Sequence, residues 1–417
     1  MLSVLRHRVY RRLFTAQVIA LIGTGLATVA LALLAYDIAG PRAASVLGTA
    51  LAIKMIAYVT LGPLAGALAG RVPRRTVMVG SDLLRAAVAL ALPFVGTVWQ
   101  IYALVFVLQA ASALFTPTFQ AAIPDVLPDE RDYTQALSLS KMAYDIESLL
   151  SPALAAALLT VISYSGLFIG TTLGFLASAA LVVSAALPRP PDTEQAGMYA
   201  AATSGIRLFA TTGALRGLLA LDLAVAAAGA MVYVNTITIV RDTLHKPASA
   251  VGIALACYGA GSITTALLLP RLLRTATDRT VMTTAALALT APLLALPAVL
   301  NLRADLAWVP VLAVWAVLGA LSAAVSTPTG RLLNQHVTPT ARPAAFAAQF
   351  SLSHACWLIT YPLAGWLATQ AGITTTSLAL ATLTLLGAIA ARLLWPPRPT
   401  ATTAEILSPS TPGRLPR

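Results

Sequence analysis

Apolar residues run through this chain in blocks longer than a soluble helix or strand needs. Three stretches contain no Asp, Glu, Lys or Arg: 86–124, 148–188 and 343–391, of 39, 41 and 49 residues. A helix needs about 20 mostly apolar residues to cross a bilayer. Each stretch therefore fits a helix out, a tight turn and a helix back. Turn residues sit near the midpoints: Gly96-Thr97, Ser163-Tyr164-Ser165-Gly166 and Gln370-Ala371-Gly372. The remaining blocks fill in around them. The pattern predicts helices at 13–38, 45–69, 76–96, 100–121, 134–162, 166–187, 213–240, 248–269, 280–300, 307–329, 344–369 and 373–394. The result is an all-α, polytopic membrane protein with twelve transmembrane helices. The first apolar run, 13–36, has 24 residues and no clear small-residue cleavage site, so it reads as a span and not as a signal peptide.

Composition sharpens this. Of 417 residues, 58% are hydrophobic and 10% charged, with a mean hydropathy of +0.82. Soluble domains carry about 25% charged residues, so this chain cannot cover a water-soluble fold. Two cysteines exclude a disulfide framework. The net charge of +12 would suggest nucleic acid in a soluble protein. Here its distribution says otherwise. Twenty of the 27 cations fall at the N-terminus, in the even-numbered connections and at the C-terminal end, against four (Arg42, Arg241, Lys246, Arg303) in the odd ones. That asymmetry follows the positive-inside rule and predicts that both termini are cytoplasmic. Only three of the 27 cations are Lys and alanine is abundant, which fits the codon bias of a GC-rich bacterium; the expected location of the multi-pass chain is then the bacterial inner membrane.

The two halves resemble each other. Arg75-Thr76-Val77-Met78 recurs as Arg279-Thr280-Val281-Met282, at an offset of 204. Asp37 and Gly48 match Asp242 and Gly252; Thr116-Pro117-Thr118 matches Thr327-Pro328-Thr329; Ser138-Leu139-Ser140-Lys141 matches Ser351-Leu352-Ser353-His354. Offsets that drift only from 204 to 213 imply two six-helix units in tandem. Six is even, so the units are parallel repeats about an axis along the membrane normal. The expected division is a bundle at 1–187, a proline-rich cytoplasmic linker at 188–212, a bundle at 213–395 and a disordered tail at 396–417.

Twelve helices, the six-plus-six repeat and an arginine-rich second connection resemble the major facilitator superfamily. Its loop motif (Gly, three residues, Asp, Arg, one residue, Gly, then basic residues) is similar to the run from Gly66 to Arg75. Gly66, Arg71, Arg74 and Arg75 match; Gly70 replaces the Asp and Pro73 the second Gly. The resemblance implies a cytoplasmic gate closed by charge contacts, with Asp82 standing in for the lost carboxylate and pairing with Arg85 at i,i+3. Ser151-Pro152-Ala153-Leu154-Ala155-Ala156 looks like the Gly-Pro-x-x-Gly-Gly motif of exporter-type members. Small residues there let helix backbones approach closely. The arginine of helix four in proton-coupled drug exporters is missing, and Gln109 is the nearest polar residue. The runs 143–147 and 353–365 look similar to a bacterial subgroup that includes nickel and cobalt resistance exporters. The tail lacks the histidines such proteins can carry.

Ionisable residues at membrane depth are costly and point to function. Asp145 falls near the midplane of helix five. Lys141 is one turn earlier, and Tyr144 lies roughly on that face. Glu147 points about 200° away from Asp145, toward a neighbouring helix or the other edge of a wide cavity. Asp145 would carry a proton or hold a cationic substrate, or else the Lys141–Asp145 pair only fixes packing. His354 falls at the repeat position of Lys141 and suits proton coupling, or is a satisfied interior histidine. Asp222 is either a second proton site or a packing partner. Asp145, Glu147, His354 and Cys356 together could ligate a transition metal, although a buried free Cys is ordinarily inert. Lys54 sits near the middle of helix two with no evident partner.

No phosphate-binding loop, paired-cysteine motif or nucleophile elbow is present, so no enzyme activity or cofactor is expected. Without room for an ATPase domain, energy must come from a gradient. The expected function is a monomeric secondary transporter, a proton-coupled exporter of a drug-like or siderophore-like compound. The partners are then substrate, protons and the lipid bilayer, with no nucleic acid. The alternatives are a nickel or cobalt exporter, or a non-transporting sensor or assembly partner.

Overall fold

The computed structural model describes residues 2–69, 72–185, 187, 198–273, 275–338 and 341–395. Some helical side chains, those of Lys141 and Asp145 among them, lie outside the described set, as does the tail 396–417. The described chain is helical throughout. The first half contains α1 (Arg8–Ala39), α2 (Ala43–Ala69), α3 (Arg74–Ala91), α4 (Val98–Val126), α5 (Glu130–Leu158) and α6 (Tyr164–Ser184). After α7 (Met198–Thr211), the second half contains α8 (Gly213–Thr238), α9 (Ala248–Leu272), α10 (Asp278–Ala288), α11 (Thr290–Leu300), α12 (Ala304–Ser326), α13 (Thr329–His336) and α14 (Arg342–Leu394).

Nine stretches among the described residues are long and apolar enough to cross a membrane. Two of them, Arg8–Leu61 and Ala348–Leu394, each hold two passes, folded back at Gly40 (φ 52°) and Gly372 (φ 84°). Left-handed backbone of this kind favours glycine. Adding α5, whose 29 residues carry Lys141, Asp145 and Glu147, gives the twelve passes of the sequence pattern.

Two local details differ from the sequence expectation. The helix at 280–300 is divided into α10 and α11 at Leu289. Pro292 has no N–H to give the carbonyl of Ala288, which removes one rung of the helix ladder. The linker also contains α7, where a loop was expected. Its prolines (188, 190, 191) all precede the helix, and Ala200-Ala201-Ala202 favours helix once they are passed. Phe209 of α7 is buried, and the helix packs on α8, α14 and α2.

The halves meet along two related seams, α2 on the first leg of α14 and α9 on α5. Glycines make both seams close. A Cβ on Gly48 would stand 2.5 Å from the Tyr361 carbonyl oxygen, and one on Gly365 would stand 2.3 Å from that of Ala44. A Cβ on Gly252 would stand 2.7 Å from Cβ of Ala156. Gly48 and Gly252 are the pair matched by the internal repeat, so the repeat in sequence is also a repeat in packing. The small residues of the 151–156 run serve the same purpose: Ser151 lies on Gly25 of α1 while Ala156 lies on Gly252 of α9.

Polar contacts join the halves at the arginine-poor end. Tyr36 Oη donates to Asp242, with the Arg241 guanidinium 5.5 Å from the Tyr36 ring. Trp366 Nε1 donates to Thr49 Oγ1 at 3.0 Å, and Ser45 Oγ bonds Thr369 Oγ1 and the Gly365 carbonyl. This end is closed.

Candidate functional site

Three titratable side chains at mid-depth, Lys54, Glu147 and His354, act on one another between the halves. Lys54 of α2 lies with its Nζ 5.7 Å from the centre of the Tyr58 ring, one turn along. Tyr58 in turn meets His354 of α14 edge-on at 5.6 Å. His354 Nδ1 is 2.6 Å from the Phe350 carbonyl oxygen, which fixes the proton on that nitrogen because a carbonyl can only accept. Glu147 of α5 packs over Gly25, and its carboxylate interacts electrostatically with Lys54, Tyr58 and Tyr233. Among the described residues no direct ion pair joins Lys54 to Glu147. Lys54 also shares a groove with Gln109, Thr24 and Thr28.

Across from these charges the second half presents aromatic rings. Tyr233 of α8 lies 5.6 Å from Tyr258 of α9 and 5.9 Å from Trp357 of α14. Trp357 lies 5.0 Å from Tyr361, one turn on. The Trp357 ring rests on bare backbone: a Cβ on Gly229 would stand 2.3 Å from its Cη2. Deeper in the second half, Gln349 Nε2 donates to Asp222 Oδ2 at 2.8 Å. Cys356 interacts electrostatically with Asp222.

The residues singled out in sequence are thereby distributed among several places. Glu147 and His354 join the central cleft. Asp222 is one helix pair away, held by Gln349. Tyr144 turns to α4, where its Oη lies 3.4 Å from Thr116 Oγ1. Lys141 and Asp145 lie outside the described side chains. Of the four-ligand metal set, Asp145 lies outside the described side chains, His354 faces Tyr58 of α2, and Cys356 interacts with Asp222. Among the described residues no group of three His, Cys, Asp or Glu could hold a metal ion. The aromatic wall was not foreseen, although its i,i+4 pair Trp357–Tyr361, like Lys54–Tyr58 across from it, is visible as a spacing.

In the arginine-rich connection, Gly66 lies in the last turn of α2 and its surroundings are outside the described set, as is Arg71. Arg74 pairs with Asp125 at the end of α4. Arg75 donates to the Val183 carbonyl at the end of α6. Asp82 and Arg85 pair within α3, fully buried. Ser178 of α6 donates to Asp82 at 2.7 Å, and the Arg85 guanidinium lies 4.4 and 4.5 Å from the rings of Phe115 and Phe175. This cluster ties α3 to α4 and α6 inside the first half.

Twelve membrane passes in two repeated halves, with charges on one and aromatic rings on the other at mid-depth, define a membrane protein of the two-bundle kind. The chain belongs to the Major Facilitator Superfamily, whose sequence profile matches residues 13–233 and 219–412. It is 31% identical over 186 residues to the uncharacterized MFS-type transporter YfiS of Bacillus subtilis, covering 44% of this chain and 43% of that one. It is 27% identical over 188 residues to macrolide efflux protein A of Streptococcus pyogenes, covering 44% and 46%. The chain thus matches a little under half the length of these relatives. Among solved structures, a D-xylose-proton symporter superposes with a TM-score of 0.74 at 14% identity, covering 94% of this chain and 98% of that one. The nucleoside transporter NupG superposes with a TM-score of 0.71 at 14% identity, covering 93% and 99%. At such identities the likeness is one of fold.

Proposed function

We propose that this transporter is a proton-coupled exporter of small amphipathic organic compounds, with the substrate bound between the halves and released by alternating access. The observation that carries this reading is the cleft itself. Glu147 of the first half acts electrostatically on Lys54 beside it and on Tyr233 of the second half, whose ring packs with Tyr258 and Trp357, which suits a ligand with a polar head and an apolar body. Glu147 is the proton carrier: protonating it removes the charge that holds the substrate's donor group. Asp222, linked to α14 through Gln349, is a second candidate, and Asp145 shares the helix of Glu147. Closure of the arginine-poor end, with the arginine-rich end cytoplasmic, corresponds to the state that loads from the cell interior. The partial likeness to a macrolide efflux protein supports export and an organic substrate.

Purified protein in proteoliposomes tests this. An imposed pH gradient should drive uptake of a fluorescent amphipathic drug, and Glu147→Gln should abolish gradient-driven flux while the protein still elutes as a folded species. Flux of Ni²⁺ or Co²⁺ without drug flux would replace the organic substrate by a metal. Absence of flux for every solute would favour a non-transporting role.

A further inference from the structure

The two opposite charges of the cleft both come from the first half and stay separate. Lys54 projects toward the Tyr58 face and the groove with Gln109, while Glu147 rests on Gly25. They still act on each other electrostatically, and Glu147 acts on Tyr233 of the second half, so both charges bear on one cleft. By the repeat offset of 204, the counterpart of Lys54 is Tyr258, so the second half offers a ring where the first offers an ammonium. An organic monocation stacked against Tyr233, Tyr258 and Trp357 would find Glu147 but also the Lys54 ammonium. In a low-dielectric cleft, such a like-charge juxtaposition costs several kcal/mol. A head carrying one positive and one negative group satisfies both residues and leaves the site neutral.

We propose that the cleft selects dipolar, zwitterionic amphiphiles with an aromatic body over organic monocations, and that Lys54 is the residue that sets this selectivity. Glu147 receives the substrate's ammonium, Lys54 its carboxylate, and the rings of the second half take the body. This inference rests on the proposed function only in taking the cleft as the substrate site. It assigns Lys54 a specificity role against the wrong charge type as well as an attractive one.

A matched ligand pair tests it. Ciprofloxacin is zwitterionic at neutral pH, and its ethyl ester keeps the ring system as a monocation. Binding of each to the full-length protein in detergent is followed by ligand fluorescence. The wild type should bind the zwitterion at least about tenfold more tightly than the ester. Lys54→Met should erase or invert that preference, and Lys54→Arg should keep it. Equal or tighter binding of the ester by the wild type overturns the proposal. So does a ratio unchanged in a folded Lys54→Met protein, or binding of neither compound. Because binding is read apart from flux, a charge preference without gradient-driven transport would sink the exporter reading and leave this one standing.

Discussion

Glu147 lies so close over Gly25 that a Cβ on that glycine would stand 2.7 Å from its carboxylate Oε1, and 2.1 Å from Cβ of Ser151. The proposed proton carrier is therefore placed by a glycine on another helix. Gly25→Ala should push Glu147 and α5 outward, at a cost of about 1–3 kcal/mol for overpacking. Proton-driven flux should fall strongly although no titrating group has changed. Flux in proteoliposomes beside a melting curve checks this: unchanged flux would show that the fit over Gly25 is unimportant.

The closed end makes a second prediction. Gly48 and Gly365 leave no room for side chains, so Gly48→Leu should disfavour the closed state by about 1–3 kcal/mol, or about 5- to 150-fold in population. A cysteine placed at Thr49 should then react faster with a membrane-impermeant thiol reagent added from the arginine-poor side. Unchanged labelling would mean that this seam does not control access.

Asp82 and Arg85 form a buried pair, and removing one partner of such a pair costs about 3–5 kcal/mol because the other charge is left uncompensated. Arg85→Met should lower thermal stability markedly in detergent. The double variant Asp82→Asn, Arg85→Met should recover much of the loss. Equal melting temperatures for single variant and wild type would contradict the burial argument.

Arg75 and Arg279 are repeat counterparts, and each donates to carbonyls at the last helix of its own half. Arg75 reaches Val183; Arg279 reaches Trp395 at 2.6 Å and Arg392 at 3.1 Å. Hydrogen bonds to charged groups contribute about 1.5–3 kcal/mol when shielded. Arg279 is half-buried and Arg75 exposed. Arg279→Ala should therefore destabilise more than Arg75→Ala, as read by melting temperature. The reverse order would refute this ranking.

Much of the fold was legible because a bilayer imposes a length on each apolar block, and because glycine-containing turns interrupt the longest ones. Gln370-Ala371-Gly372 is a clear case: the predicted turn is the positive-φ break in α14. The 204-residue offset was equally informative, since Gly48 and Gly252 occupy equivalent seams. The linker helix was hidden because its prolines dominate the local pattern, and burial of Phe209 depends on contacts far away in sequence. The site was legible only in part. Membrane charges such as Glu147 and His354 stand out by rarity alone. Which of them share a cleft depends on how α2, α5, α8 and α14 cross, and no periodicity along one helix contains that information. Tyr and Trp are common at membrane depth, so Tyr233 and Trp357 gave no signal until their rings were seen together.

That Lys54 and Tyr258 are repeat counterparts also bears on ancestry. A homodimer of one half would have to place identical residues across its axis, so a Lys54 in each copy would set two ammoniums against one shared cleft. Fusing the copies into one chain removes that symmetry constraint. One half could then specialise in charge and the other in rings, and neither retains a complete receptor.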